Sequence, residues 1–89
     1  MMNKKENFKK IYKEYIKKEA VYIGVLVKTE GMDAEEMIIN PNANFYAKLD
    51  YYLNAYDNDM ALKRSDKVKI VAVTGACELE DLNDNVRYL

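Results

Sequence analysis

Two runs constrain this 89-residue chain more than anything else in it: Val21 to Val27 (VYIGVLV) and Val68 to Thr74 (VKIVAVT). Both are rich in β-branched side chains, whose stiff χ1 suits a pleated surface better than a helix. In each run apolar residues stand at odd and even positions alike. That is the pattern of a strand covered on both faces, so both runs are expected in the centre of a sheet.

The flanking segments read as helices and shorter strands. From Asn3 to Ala20, the residues Phe8, Ile11, Tyr12, Tyr15 and Ile16 recur at the spacing of one helical face, and lysines fill the others. Strand one then spans Val21 to Thr29, and Gly31-Met32-Asp33 supplies a turn before a shorter strand from Glu36 to Asn40. Asn40-Pro41 has the chemistry of a helix start, Asn as cap and Pro at the first helical position, which predicts a helix to Tyr56. Phe45, Tyr46, Leu49, Tyr52, Leu53 and Tyr56 would share its buried side, and Asp57-Asn58-Asp59 would stop it with Asn58 left-handed. Met60 to Arg64 and Lys67 to Thr74 follow as a second hairpin around Ser65-Asp66. Leu79, Leu82, Val86 and Leu89 then predict a short helix from Glu78 to Tyr88, with Glu78, Glu80 and Asp81 at its positive end.

The expected fold is therefore α+β in the order α-β-β-α-β-β-α. It is a single domain over residues 1–89, with a four-stranded, mostly antiparallel sheet and helices one and two on one face. Residues 1–20 form the basic amphipathic helix, 21–75 the sheet with its central helix and 76–89 the C-terminal helix. Two helices cover one face of a sheet that is apolar on both. The other face needs the C-terminal helix, a second copy of the chain or a foreign partner. On the second and third of these, the contact surface is either the sheet face around Tyr22, Leu26, Val71 and Val73 or an acidic edge including Asp57, Asp59 and Asp66.

Composition narrows the chemistry. The chain has no histidine, which removes the commonest general base near neutral pH and the commonest transition-metal ligand. With Cys77 as the only cysteine, no intramolecular disulfide and no zinc site of the usual kinds can form, and a reducing cytoplasm fits best. Gly24, Gly31 and Gly75 are too scattered for a phosphate-cradling loop. Asp50, Asp57 and Asp59 lack the glycine and terminal glutamate of a calcium loop, and they read as a solvated helix stop. Cys77 sits before a predicted helix, whose N-terminus lowers a thiol pKa, but also beside three acids that raise it; a small structural residue is the simpler reading. No catalytic residue, metal site or cofactor is expected. The apolar run Ala20 to Val27 is far short of the roughly 20 residues that span a bilayer, and Glu19 and Lys28 bound it, so neither a membrane segment nor a signal peptide is expected.

Charge is unevenly spread. Residues 1–20 hold seven Lys and three Glu (+4), and residues 21–89 hold seven basic and twelve acidic groups (−5). A nucleic-acid contact through Lys9, Lys10, Lys13 and Lys17, with Lys5 and Lys18 beside them, is the alternative to protein binding. Against it, Arg64 and Arg87 are the only arginines, and the acidic remainder repels a polyanion. Eight tyrosines favour a protein interface, with Tyr51 and Tyr88 the ones expected at the surface.

Ile38-Ile39-Asn40-Pro41, followed by Asn44-Phe45, Lys48-Leu49, Tyr51-Tyr52, Ala55-Tyr56-Asp57, Leu62-Lys63 and Lys69-Ile70-Val71, resembles small uncharacterised proteins of phages and mobile elements in low-GC Gram-positive bacteria. The resemblance covers roughly residues 21–75 and rests on apolar and aromatic positions. That group includes inhibitors of host defence such as anti-CRISPR proteins, which occlude a surface of a larger target. It implies a non-enzymatic module that inhibits or modulates a host protein in the bacterial cytoplasm without a cofactor, and the doubly apolar sheet adds the expectation of a homodimer.

Overall fold

A computed structural model describes residues 2–89, and it is an α+β fold. Its elements are α1 (Lys4–Lys17), β1 (Tyr22–Thr29), β2 (Glu36–Pro41), α2 (Phe45–Ala55), β3 (Ala61–Leu62), β4 (Ser65–Ala76) and β5 (Arg87–Tyr88). Short 3-10 turns at Asn42–Asn44 and Leu79–Asp84 complete it. The sheet is antiparallel in the order β2-β1-β4-β3, and β5 also pairs with β4. The two β-branched runs are its central strands, β1 and β4. Among the described residues, no helix is long and apolar enough to cross a membrane.

Helix α1 begins where Asn3 accepts a hydrogen bond from the Glu6 amide at 2.8 Å. It ends with the Ala20 amide donating to the Tyr15 carbonyl and the Glu19 amide to that of Ile16. This pairing requires a left-handed residue after the cap, a place that favours glycine, and here it is Glu19 with φ 61°. Phe8, Ile11, Tyr12 and Tyr15 of α1 pack with Phe45, Leu49 and Tyr52 of α2 over Ile23, Val25, Val27, Ile70 and Val73 of the sheet. The rings of Phe8 and Tyr52 meet edge to face at 5.7 Å. The Tyr12 hydroxyl donates to the Phe45 carbonyl at 3.0 Å, so a polar tip inside this core is satisfied.

Several expectations need correction. Asn40-Pro41 does not start α2 but ends β2. Asn40 pairs with Ile23 on the helix side, is buried, and donates its side-chain amide to the Tyr52 hydroxyl at 3.3 Å. A buried amide needs a partner, and that requirement outweighs the capping preference. Tyr46, expected inside, is 67% exposed because the buried stripe of α2 runs through Phe45, Leu49 and Tyr52, one position to its side; the helix itself starts four residues later than its sequence signal. The second hairpin turns at Lys63-Arg64, since Leu62 already pairs with Ser65. Asn58 is not left-handed; the buried Met60 is, with φ 59°.

The C-terminal helix is absent, and the sheet gains a fifth strand instead. β3 covers only the first part of the outer edge of β4. Arg87 and Tyr88 pair with Val73 and Ala72 farther along it, satisfying backbone groups that a terminal helix would leave bare. Asn85 is held in place by donating to the Gly75 carbonyl at 2.9 Å and accepting from the Tyr15 hydroxyl at 2.8 Å. Asn83, Asp84 and Asn85 are poor helix interiors in any case.

Candidate interaction surfaces

The sheet face away from the helices carries Tyr22, Gly24 and Leu26 of β1 beside Ala76, Thr74 and Ala72 of β4, as their pairing requires. Leu82 of the tail is buried against this layer, and the Thr74 hydroxyl donates to the Leu82 carbonyl. Tyr88 pairs with Ala72, opposite Leu26, and its hydroxyl reaches Glu35 at 3.0 Å, on the far side of β1. The tail thus crosses the outer face as a strap.

That strap corrects the expected contact surface. Leu26 is 9% exposed and Val73 0%, while Tyr22 and Val71 are half-buried. Val73 fails for a specific reason. Leu26 pairs with Ala72 but Val27 with Ile70, so Val71 is an extra residue in β4. A bulge of this kind shifts every later side chain by one position and sends Val73 to the helix side opposite Val25.

The acidic edge is also reshaped. Asp57, Asp59 and Asp66 line one hollow, but Lys28, Lys67 and Lys69 line it too, so its charge is mixed. The Asp57 carboxylate accepts from the amides of Ala61 at 3.0 Å and Asp59 at 2.9 Å. The Ala61 amide first, then that of Asp59, holds this carboxyl below its usual range. Asp57 is occupied in shaping the loop that places Met60. Among the described residues, no group of His, Cys, Asp or Glu could hold a metal ion.

Cys77 is exposed, in an open cleft bounded by Tyr15 and Lys18, the end of β4, and Asp84 to Arg87 of the tail. Glu14 of α1 is engaged by Arg87 from the tail, and this is the only ion pair among the described residues. On α1 itself Lys9, Lys10, Lys13 and Lys17 are all exposed, and the aromatic side chains of that helix are buried. Tyr51 and Tyr88 are exposed, as their positions in the sequence indicated.

What remains uncovered is β2. It is the outermost strand next to β1, and no strand pairs with its other side among the described residues. Ile38 (41% exposed) lies on the helix side and Ile39 (45%) on the strap side, so both faces of the edge are apolar. Met32 is exposed in the loop before it. Glu35 and Glu36 precede the isoleucines and Pro41 follows them, which confines free pairing to a short stretch. Sequence reasoning passed over this edge because a short strand with one run of isoleucines reads as an ordinary half of a hairpin. Neither a protein-family model nor a curated protein nor a solved structure matches the chain.

Proposed function

We propose that this chain is a non-enzymatic protein-binding module that inhibits or modulates a host protein, and that its contact surface is the free edge of β2. The observation that carries the reading is the pairing of an unpartnered backbone edge with two exposed isoleucines, Ile38 and Ile39, one on each face. An extended partner segment adding to such an edge gains main-chain hydrogen bonds, and alternate side chains find apolar contacts above and below. The resemblance to phage and mobile-element proteins supports a bacterial host protein as the partner and the host cytoplasm as the place.

Quantitative capture from host lysate tests this with the wild type beside Ile38→Lys/Ile39→Lys. Retention of one protein by the wild type and its loss from the variant, with unchanged circular dichroism, supports the reading. Equal retention by both, or none by either, removes it. The competing occupant is a second copy of the chain, paired β2 to β2. Gel filtration with mass measurement would show that as a dimer that the double substitution turns into a monomer.

A further inference from the structure

The exposed back of α1 is a second surface, unused by the reading above. Lys9, Lys13 and Lys17 stand four residues apart, so their Cα atoms rise by about 6 Å per step along one side of the helix, with Lys10 beside them. All four are exposed, and none is in an ion pair. Like charges at this spacing disfavour a helix, so of the row only Lys17, in the last turn where a cation suits the helix end, stabilises the fold. Glu14, the nearest acid in mid-helix, is turned to Arg87.

The rest of the helix says which polyanion fits. Its apolar side is already buried against the sheet and α2, so it has no face to sink into a bilayer. Phe8, Tyr12 and Tyr15 are inside, leaving no aromatic platform on which the bases of a single strand could stack. The helix has no arginine to read base edges in pairs of hydrogen bonds. Ammonium groups donate only, and nothing on the ridge distinguishes a 2′-hydroxyl. A rigid ladder of phosphates met through charge alone is what is left. The acidic remainder of the molecule turns this one face toward a polyanion and repels it elsewhere.

We infer that the Lys9, Lys10, Lys13 and Lys17 ridge docks on the phosphate backbone of a nucleic-acid duplex without regard to sequence. Helix α1 lies against β4 and α2, whereas the free edge of β2 is on the far side of β1, so the two surfaces are separable.

Fluorescence anisotropy with short labelled DNA duplexes of unrelated sequence tests it on the full chain. Binding should be equal across sequences, and log K should fall linearly with log salt with a slope of about −3 to −4, near −0.9 for each phosphate neutralised. Lys9→Glu/Lys13→Glu/Lys17→Glu should lower affinity by about 100-fold at low salt. The same charge change on the body, Lys48→Glu/Lys63→Glu/Lys67→Glu, should leave affinity within a few-fold. Circular dichroism confirms that both variants are folded, and Lys→Gln at the three ridge positions serves if the first is not. The inference is overturned by no binding at low salt, by equal losses in both triple variants, or by tighter binding to single strands or anionic vesicles than to duplexes.

Discussion

The two faces of the sheet are buried by different means. Under the helices lies a thick aromatic core in which Phe8, Tyr12, Phe45 and Tyr52 interlock over β1 and β4. On the other face a tail one residue deep does the covering, with Leu82 as its only fully buried apolar side chain and a two-residue strand as its anchor. Covering both faces therefore does not make them equally strong. The helix face should hold the fold together, and the strap should open first, because local opening follows low contact density.

The sharpest way to break the comparison is to truncate one anchor on each face. Phe8→Ala should cost about 3–5 kcal/mol in denaturant unfolding, the range for a fully buried phenylalanine. Leu82→Ala should cost about 2 kcal/mol, because a thin strap relaxes or lifts where a core cannot. Amide exchange should then show lost protection at Leu89 and β5 while Ile23 and Val25 stay protected. Equal costs, or global loss of protection in the second variant, would make the two faces one cooperative unit.

Alkaline pH probes the helix face above all, although the hydrogen bond to Glu35 also raises the phenol pKa of Tyr88 on the strap. Burial raises the phenol pKa of Tyr12, Tyr15, Tyr52 and Tyr56 above the ordinary 10.0. The neutral form is the one the fold prefers, so the unfolded chain ionises first. Stability from these groups is intact below that ordinary value and is lost as pH rises through the raised folded values. Unfolding followed by circular dichroism should coincide with a steep gain in phenolate absorbance. Gradual ionisation of a chain that stays folded would contradict the burial.

Two glycines, one on each face, offer a finer test. A Cβ at Gly75 would meet the Tyr15 ring at 2.5 Å, and that ring is held by its hydrogen bond to Asn85. At Gly24 it would meet the Thr74 methyl at 2.8 Å and the flexible Met37 sulfur at 2.9 Å. Gly75→Ala should cost about 3 kcal/mol and Gly24→Ala about 1 kcal/mol, since overpacking hurts most where the neighbour cannot move. The reverse order in urea unfolding would mean that the strap is the stiffer layer.

The smallest effect has the opposite sign. Glu19→Gly relieves a left-handed residue at the junction of α1 and β1 and should stabilise by about 0.5–1 kcal/mol, the steric relief less the added freedom of the unfolded chain. A thermal melt that does not rise would show that Glu19 has another role beside Cys77, whose thiol lies 3.9 Å from the Glu19 carbonyl.

Much of the fold was legible because the signals were local. The aromatic spacing of α1 chose its buried side, and doubled apolar faces marked β1 and β4 as central. The contact surface was less legible. It was placed on the sheet face by a regular alternation along β4 that the extra residue at Val71 interrupts, and no periodicity in the sequence announces such an insertion. The lysine ridge was visible in the sequence, but its separation from the protein's other open surface was not.

By itself, then, the sequence determined α1, the body of α2 and the two central strands, since side-chain period and β-branching act within a few residues. Tertiary structure alone decided that the last twelve residues become a strap and a fifth strand, and that Val73 turns inward. It also decided that β2 is left as an open apolar edge. Those outcomes depend on which backbone groups of β4 still lack partners once β1 and β3 are in place, and that is a property of the assembled sheet.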